Sequence, residues 1–155
     1  MKDEKEILPR DELKENIVLA WVQLSAILKN NRITSGLAYN EAVVMLLLYH
    51  EYKKTKQAVL PLSKIIGETK MLKSLANRTI SSLEAKGLVV KEASASDKRT
   101  VLVRALPNSA PQFLQVHRRS LELADEICNI IGEEDALAFI RIAQKISANP
   151  PREAP

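Results

Sequence analysis

One stretch of the chain carries hydrogen-bonding side chains at a helical spacing. Ser74, Asn77, Arg78 and Ser81 occupy positions i, i+3, i+4 and i+7, so a helix would present all four on one face. An arginine guanidinium can donate two hydrogen bonds to one planar edge, and an asparagine amide can donate and accept together. Guanine and adenine offer matching groups in the DNA major groove, so the pattern predicts a base-reading helix. The alternative interpretation is an ordinary solvated helix face.

A second polar group, Asp97, Lys98 and Arg99, lies between two β-rich runs, 88–93 and 100–105. Arg99 is predicted to enter a minor groove, where narrow A·T tracts concentrate negative potential. Lys98 is predicted to contact phosphate. Asp97 would be repelled by phosphate, so we expect it to brace the loop by pairing with Arg99. The alternative for Asp97 is a plain turn former, because aspartate is common in turns.

Two helices and a hairpin must hold these groups in place. Residues 63–69 form a short helical pattern after Pro61, and residues 73–86 form a second pattern that ends at Gly87, the position of a helix C-cap. The two β-rich runs follow. This order predicts a helix-turn-helix followed by a β-hairpin wing.

Positive charge is concentrated in the same region. The chain has a net charge of +4, but residues 62–106 contain nine basic and four acidic residues, while the remainder is close to neutral. A polyanionic partner would require such a bias. We expect Ser63, Lys64 and Lys73 to contact the DNA, with the two lysines binding phosphates. The alternative is a solvated basic face.

Long helical patterns flank the winged unit. An apolar stripe runs along residues 11–32, and two further helices are predicted over 112–131 and 133–147, separated by Gly132. Their apolar surface exceeds what the winged unit can cover, so we expect them to pack on a second copy of the chain. A twofold dimer would place two recognition helices about one duplex turn apart.

The predicted winged region spans residues 38–106 and includes a further helix, 39–54. Its centre is apolar on nearly every side, which indicates enclosure by other elements. Asn40 is its predicted N-cap. Residues 149–155, which contain three prolines, are predicted to be a disordered tail.

Composition limits the class of protein. At 155 residues with 46% hydrophobic residues and 4 glycines, the chain is predicted to be one mainly helical domain, 1–155, with a small β-hairpin wing. It has no Gly-rich phosphate loop, no Gly-x-Ser-x-Gly and no Cys/His/Asp cluster with metal-ligand spacing. We therefore expect no enzyme activity, no catalytic residues, no cofactor and no metal.

The single cysteine, Cys128, suggests a reducing compartment. The charged N-terminus does not resemble a signal peptide, and the longest apolar run, 42–49, is too short to span a bilayer. We predict a cytoplasmic protein without membrane contact. Cys128 lies on an apolar stripe, so a packed core thiol is favoured over a redox sensor.

Trp21, Tyr39 and Tyr49 belong to the first two predicted helices. These aromatic side chains could line a pocket for a small-molecule effector. The alternative is that the rings simply pack in the core.

The element order over residues 11–147 resembles the MarR family of winged-helix transcriptional regulators. Two motifs carry the resemblance. A Lys73-Ser74 pair opens a helix that ends in Leu-Glu-Ala-Lys-Gly-Leu-Val at 83–89, and Asp97-Lys98-Arg99 precedes the strand Val-Leu-Val. The wing motif is the more specific of the two, because its Asp-x-Arg arrangement lies between two strands.

The resemblance implies a homodimer that binds pseudo-palindromic double-stranded DNA. Such proteins usually repress transcription and are released by a small ligand or oxidant, and ligands often bind between the dimer helices and the winged unit. It also implies that the helices at 11–32 and 112–147 form the dimer interface. The alternative function is a winged-helix module that binds a protein or RNA partner.

Three positions depart from the family pattern. Lys70 occupies the place where the turn between the two helices usually has glycine, and Gly67 falls inside the preceding helix. Leu72 replaces the small acidic or polar residue that commonly precedes the Lys-Ser pair. Ala105-Leu106 stands where a Leu-Thr pair often follows the wing. The first departure leaves the angle between the two helices open.

Overall fold

The computed structural model describes residues 9–30 and 36–152. Its elements in chain order are α1 Arg10–Asn30, α2 Tyr39–Thr55, β1 Val59–Pro61, α3 Leu62–Thr69, α4 Lys73–Ala85, β2 Val89–Ala93, β3 Val101–Ala105, a 3₁₀ turn Pro107–Ser109, and α5 Ala110–Ala148. The chain divides into two units between residues 32 and 33. The first unit contains α1 and the second contains every other element. The single domain expected over 1–155 stays a prediction.

Helix α1 confirms the first predicted helix, although residues 31 and 32 of that prediction lie outside the described residues. Asp11 and Glu12 occupy its first turn and Lys29 its last, which suits the helix dipole at both ends. Its large apolar side chains are exposed, Trp21 to 70%. The expectation that Trp21 packs in a core is therefore wrong for the single chain.

The second unit is organised around α2, whose apolar residues lie on all sides as the sequence predicts. Helices α3, α4 and α5 and all three strands each contribute to the surrounding core. Its fully buried large side chains include Val44, Met45, Leu48, Ile65, Ile80, Leu83, Val89, Val103 and Val116. One face of α4 is therefore packed in the core, and the opposite face is exposed.

The three strands form one antiparallel sheet in the order β1-β3-β2. In the hairpin, Lys91 pairs with Val103, and on the other side of β3 the same Val103 pairs with Leu60. The predicted hairpin is confirmed. Strand β1 was not predicted from the sequence because a three-residue run that ends in proline carries no β-periodicity of its own.

Helix α2 begins differently from the sequence-based prediction. Ala38 occupies the N-cap position, and its backbone N–H donates to Glu41 Oε2 at 2.9 Å. Asn40 lies inside the helix, so its predicted capping role is wrong. A glutamate at the third helical position reaches back to the cap amide and satisfies a group that the helix leaves unpaired.

Helix α5 is interrupted where the sequence predicts a break. Gly132 has φ +81° and ψ 164°, which is far from helical and favours glycine. The buried residues of α5, Phe113, Val116 and Leu123, all precede Gly132. We call residues 133–148 the distal segment of α5. Residues 149–152 have no regular structure, residues 153–155 lie outside the described part, and the predicted disorder of the tail is untested.

Candidate nucleic-acid interface

Helix α4 has one buried and one exposed face. Ala76, Thr79, Ile80 and Leu83 are buried in the second unit. Ser74, Arg78 and Ser81 are exposed on the other face, as their spacing predicts, and Asn77 is half-buried beside them. The helix therefore presents a row of small polar groups and one guanidinium.

Asn77 has a fixed orientation within this row. Its Nδ2 donates to the backbone carbonyl of Lys73 at 2.9 Å, one turn earlier. This bond uses one amide hydrogen, while an amide offers a second hydrogen and an acceptor oxygen. The side chain is thereby held against the first turn of α4, close to Lys73 and Ser74.

The turn that joins α3 to α4 places a lysine in the left-handed region. Lys70 has φ +57°, and its N–H donates to the Ile66 carbonyl at 2.8 Å to close α3. Thr69 adds two bonds, donating its hydroxyl to the Ile65 carbonyl and accepting the Met71 N–H. The turn forms without the usual glycine, at a conformational cost of about 1 kcal/mol for a residue with a Cβ.

A buried carboxylate anchors the other end of α4. Glu41 of α2, whose side chain is 5% exposed, accepts from Lys86 Nζ at 2.6 Å and from the Ser82 hydroxyl. Burial alone would raise the pKa of Glu41, but hydrogen bonds from Lys86, Ser82 and the Ala38 amide outweigh it, so the pKa lies below its ordinary value. The carboxylate is therefore ionised at neutral pH and ties α4 to the core helix.

In the wing, Asp97 braces the loop as predicted, but through different atoms. Its Oδ1 accepts the backbone N–H of Arg99 at 2.9 Å and its Oδ2 accepts the Thr100 hydroxyl at 3.0 Å. The Asp97 carbonyl accepts the Thr100 N–H as well. Among the described residues Asp97 makes no ion pair with the Arg99 guanidinium, so a side-chain pairing of the two is wrong, and the side chains of Lys98 and Arg99 are exposed.

The basic residues of 62–106 fall into two groups. Four have an acidic partner within 4.0 Å, in the pairs Lys64–Glu51, Lys86–Glu41, Lys91–Glu84 and Arg104–Glu92. Among the described residues no ion pair involves the other five, which are Lys70, Lys73, Arg78, Lys98 and Arg99. All five are exposed, on the turn, on α4 and on the wing.

Four of the residues for which DNA contact is predicted have no acidic partner among the described residues. Lys73, Arg78, Lys98 and Arg99 are among the unpaired cations, whereas Lys64 lies 3.9 Å from Glu51. Lys70 was missed because the sequence shows it only as a substitute for a turn glycine. Ser63 is exposed at the start of α3. DNA contact by these residues stays a prediction.

A cavity of about 440 Å³ lies elsewhere in the second unit, between the end of α2, the sheet and the start of α5. Of the three residues predicted to line a ligand pocket, Tyr49 lines this cavity, Tyr39 does not, and Trp21 belongs to the other unit. Ligand binding there stays a prediction. Most of the residues that line the cavity were not predicted from the sequence, among them Tyr52, Lys56, Arg104, Ser109 and Phe113. These residues are far apart in the chain, so only the packing of α2 against α5 brings them together.

Cys128 is exposed, so the expectation of a packed core thiol is wrong for the single chain. It lies beyond Leu123, the last buried residue of α5. Among the described residues no group of three or more His, Cys, Asp or Glu could hold a metal ion. In the same part of the chain no helix is long and apolar enough to cross a membrane.

No protein-family profile matches the chain, and no curated protein matches its sequence. Solved structures do share its fold at low identity. Sco3205 of Streptomyces coelicolor, a MarR family transcriptional regulator in complex with DNA, is 16% identical with a TM-score of 0.76, covering 98% of this chain and 96% of its own.

Two other regulators are similar to this chain. BldR of Sulfolobus solfataricus is 19% identical with a TM-score of 0.72, covering 92% of this chain and 99% of its own. BpsR of Bordetella bronchiseptica, whose DNA binding is regulated by 6-hydroxynicotinic acid, is 18% identical with a TM-score of 0.70, covering 88% and 98%. The chain thus has the winged-helix fold of MarR family transcriptional regulators.

Proposed function

We propose that this protein is a transcriptional regulator that binds double-stranded DNA sequence-specifically as a homodimer. The observation that carries the proposal is the segregation of charge on the winged unit: its five unpaired cations are exposed on the turn, α4 and the wing. A structure with the same fold, Sco3205, was solved in complex with DNA.

The residues divide into three roles. Ser74, Asn77, Arg78 and Ser81 read base edges in the major groove, where a bidentate arginine or asparagine contributes about 1–3 kcal/mol of discrimination. Ser63, Lys64, Lys73 and Lys98 hold phosphates and fix the register. Arg99 enters the minor groove, and Asp97 keeps the wing loop in shape by its bonds to Arg99 N–H and Thr100.

The dimer is proposed from apolar surface that one chain leaves exposed. On the distal segment of α5, Phe139, Ile142 and Ile146 share a helical face and are each half or more exposed, and α1 exposes Ile17 and Trp21. A face of this kind marks an interface in a water-soluble chain. Two copies related by a twofold axis would bind a pseudo-palindromic operator, with half-sites about one duplex turn apart.

Repression and release by a small ligand complete the proposal. A dimer bound across a promoter blocks transcription, and a ligand that favours a different spacing of the two winged units weakens DNA binding. The cavity at Tyr49 supports an effector site, because it combines aromatic walls with the cation Lys56; its other lining cation, Arg104, is paired with Glu92. BpsR, a structure of the same fold, is regulated by a small organic acid. No catalytic role is proposed for any residue.

Selection of binding sites from a random duplex pool tests the proposed function. We expect enrichment of a palindromic consensus. The binding constant should fall steeply with salt: the logarithm of the constant, plotted against the logarithm of the salt concentration, has a slope near −0.9 for each phosphate contact. The double variant Lys73→Ala, Arg99→Ala should lose binding. Failure to enrich any duplex sequence would overturn the proposal, and preferential binding of RNA or of a protein would favour the alternative winged-helix module.

A further inference from the structure

Leu72 occupies an unusual position for a leucine. It is the N-cap residue of α4, with φ −59° and ψ 143°, and it makes no side-chain cap hydrogen bond. Its side chain is 75% exposed, and within residues 62–85 it is the one large hydrophobic side chain that is exposed. The Leu72 side chain is therefore not part of the core of the second unit.

A leucine at this position is unfavourable for the folded chain. Serine, threonine, aspartate or asparagine would accept a hydrogen bond from an unpaired N–H in the first turn, which leucine cannot do. The first turn of α4 has no acidic residue either. An exposed apolar side chain does not contribute the free energy that burial would give. Neither capping nor burial therefore accounts for a leucine at this position within a single chain.

The place of Leu72 in the proposed interface suggests what it contacts. It directly precedes Lys73 and Ser74, at the end of α4 whose counterpart in helix-turn-helix proteins approaches base edges. The unpaired cations Lys70 and Lys73 lie on either side of it in the chain. In the major groove the C5 methyl of thymine is the apolar group on display, and apolar side chains contact it.

We propose that Leu72 is a specificity-determining residue that recognises thymine through its C5 methyl group. The inference depends on the proposed function, and it adds an apolar determinant to the polar readout by Asn77 and Arg78. An acidic cap at position 72 would improve the helix and place negative charge near phosphate. Leucine leaves α4 without a side-chain cap, and its apolar contact forms only when DNA is bound.

The test replaces single thymines by deoxyuridine in the duplex that the wild-type protein selects. Deoxyuridine keeps the hydrogen-bonding groups and lacks only the methyl. One such replacement in each half-site should weaken wild-type binding about fifteenfold, since burying one methyl is worth about fourfold in a binding constant and each of the two half-sites loses one methyl. Leu72→Ala should bind the thymine and uracil duplexes equally, and more weakly than the wild type binds the thymine duplex.

Two control variants separate this contact from general damage. Leu72→Ser can cap α4, so it should lose the preference for thymine while its melting temperature is kept or raised. Val101→Ala shortens another exposed apolar side chain of the same unit, at a position with no assigned contact, and should keep the preference unchanged.

The failures of the two proposals are distinguishable. If no duplex is enriched, the proposed function fails and the role of Leu72 fails with it. If a duplex is enriched but has no thymine whose methyl affects binding, or if Leu72→Ala keeps the wild-type ratio between thymine and uracil duplexes, the inference is wrong and the proposed function stands.

Discussion

The winged unit, residues 62–106, and the distal segment of α5 differ in how far their apolar side chains are buried. In residues 62–106 the large apolar side chains other than Leu72 and Val101 are buried or half-buried, and most other exposed groups on α4 and the wing are polar or charged. On the distal segment, Leu137, Phe139, Ile140, Ile142 and Ile146 are all half or more exposed. One region buries most of its apolar surface within a single chain, and the other leaves it exposed.

The difference follows from what surrounds each region. Helix α2 is apolar on all sides, so α3, α4, the sheet and the first part of α5 can all pack against it. The last buried residue of α5 is Leu123, and no described element buries a residue beyond Gly132. Under the proposed function, the polar exterior of the first region would face DNA and the apolar exterior of the second would join two copies of the chain.

Charging the distal segment should have the largest effect. Ile142→Glu places a carboxylate on the face that includes Phe139 and Ile146, so burial in an interface would leave it unpaired. We expect dimer dissociation and a fall in operator affinity of about 100-fold, because the two half-sites then bind independently. Sedimentation velocity and duplex titration measure both quantities.

Arg141→Gln is the matched control, since it changes net charge by the same amount on the polar side of the same segment. It should leave the dimer intact. A dimeric Ile142→Glu variant with normal affinity would show that the distal segment is not an interface.

Removing the anchor of α4 should cost about 1–3 kcal/mol of the free energy of unfolding. Glu41→Gln takes away the charge that Lys86 and Ser82 contact in a buried place. The exposed pair Arg104–Glu92 provides the comparison, and Glu92→Gln should cost less than about 1 kcal/mol. Urea unfolding at pH 7 checks both, and equal costs would contradict the assigned role of burial.

The same anchor predicts a pH dependence. The pKa of Glu41 is lowered from its ordinary value of 4.5 on folding, so the unfolded chain takes up a proton first as the pH falls. The stabilising contribution is complete above pH 4.5 and is lost as the pH falls through the lower pKa of the folded state. The free energy of unfolding of wild type and of Glu41→Gln should be measured between pH 7 and pH 3. The difference between the two should decrease as the pH falls.

Arg99→Ala should weaken operator binding by about tenfold or more while leaving the thermal stability unchanged, because the guanidinium is exposed and unpaired. Lys91→Ala removes one positive charge from the same hairpin, where Lys91 lies 4.0 Å from Glu84. Its effect on affinity should be smaller than threefold. Equal affinities of Arg99→Ala and wild type would refute minor-groove insertion.

Lys70→Gly should raise the free energy of unfolding by about 0.5–1 kcal/mol, because glycine adopts φ +57° without the cost that a Cβ imposes. Lys70→Ala removes the same charge and keeps the Cβ, so it should give no such gain. A fall in operator affinity relative to wild type that both variants share would indicate that Lys70 contacts phosphate, since both lack the ammonium group, and wild-type affinity in both would contradict that contact.

The predictable part of the fold is the part that local pattern specifies. Helices α1 to α4, the hairpin and the break at Gly132 follow from apolar periodicity, Pro61 and the glycines at 87 and 132. Strand β1 does not, because Val59–Pro61 becomes a strand only by pairing with β3. The cap of α2 was misassigned to Asn40 because Asn is a common cap, whereas a reach back by Glu41 depends on its rotamer and on its contacts with Lys86 and Ser82.

The sequence by itself determined the winged fold, the concentration of basic residues in 62–106 and the polar face of α4, since these depend on residue type and helical spacing. Only the tertiary structure decided which cations have acidic partners, that Asp97 holds the wing through Arg99 N–H, and that Leu72 stands exposed beside Ser74. It also decided that Tyr49 and Phe113 line one cavity. Contacts between distant residues arise from packing, which local spacing does not encode.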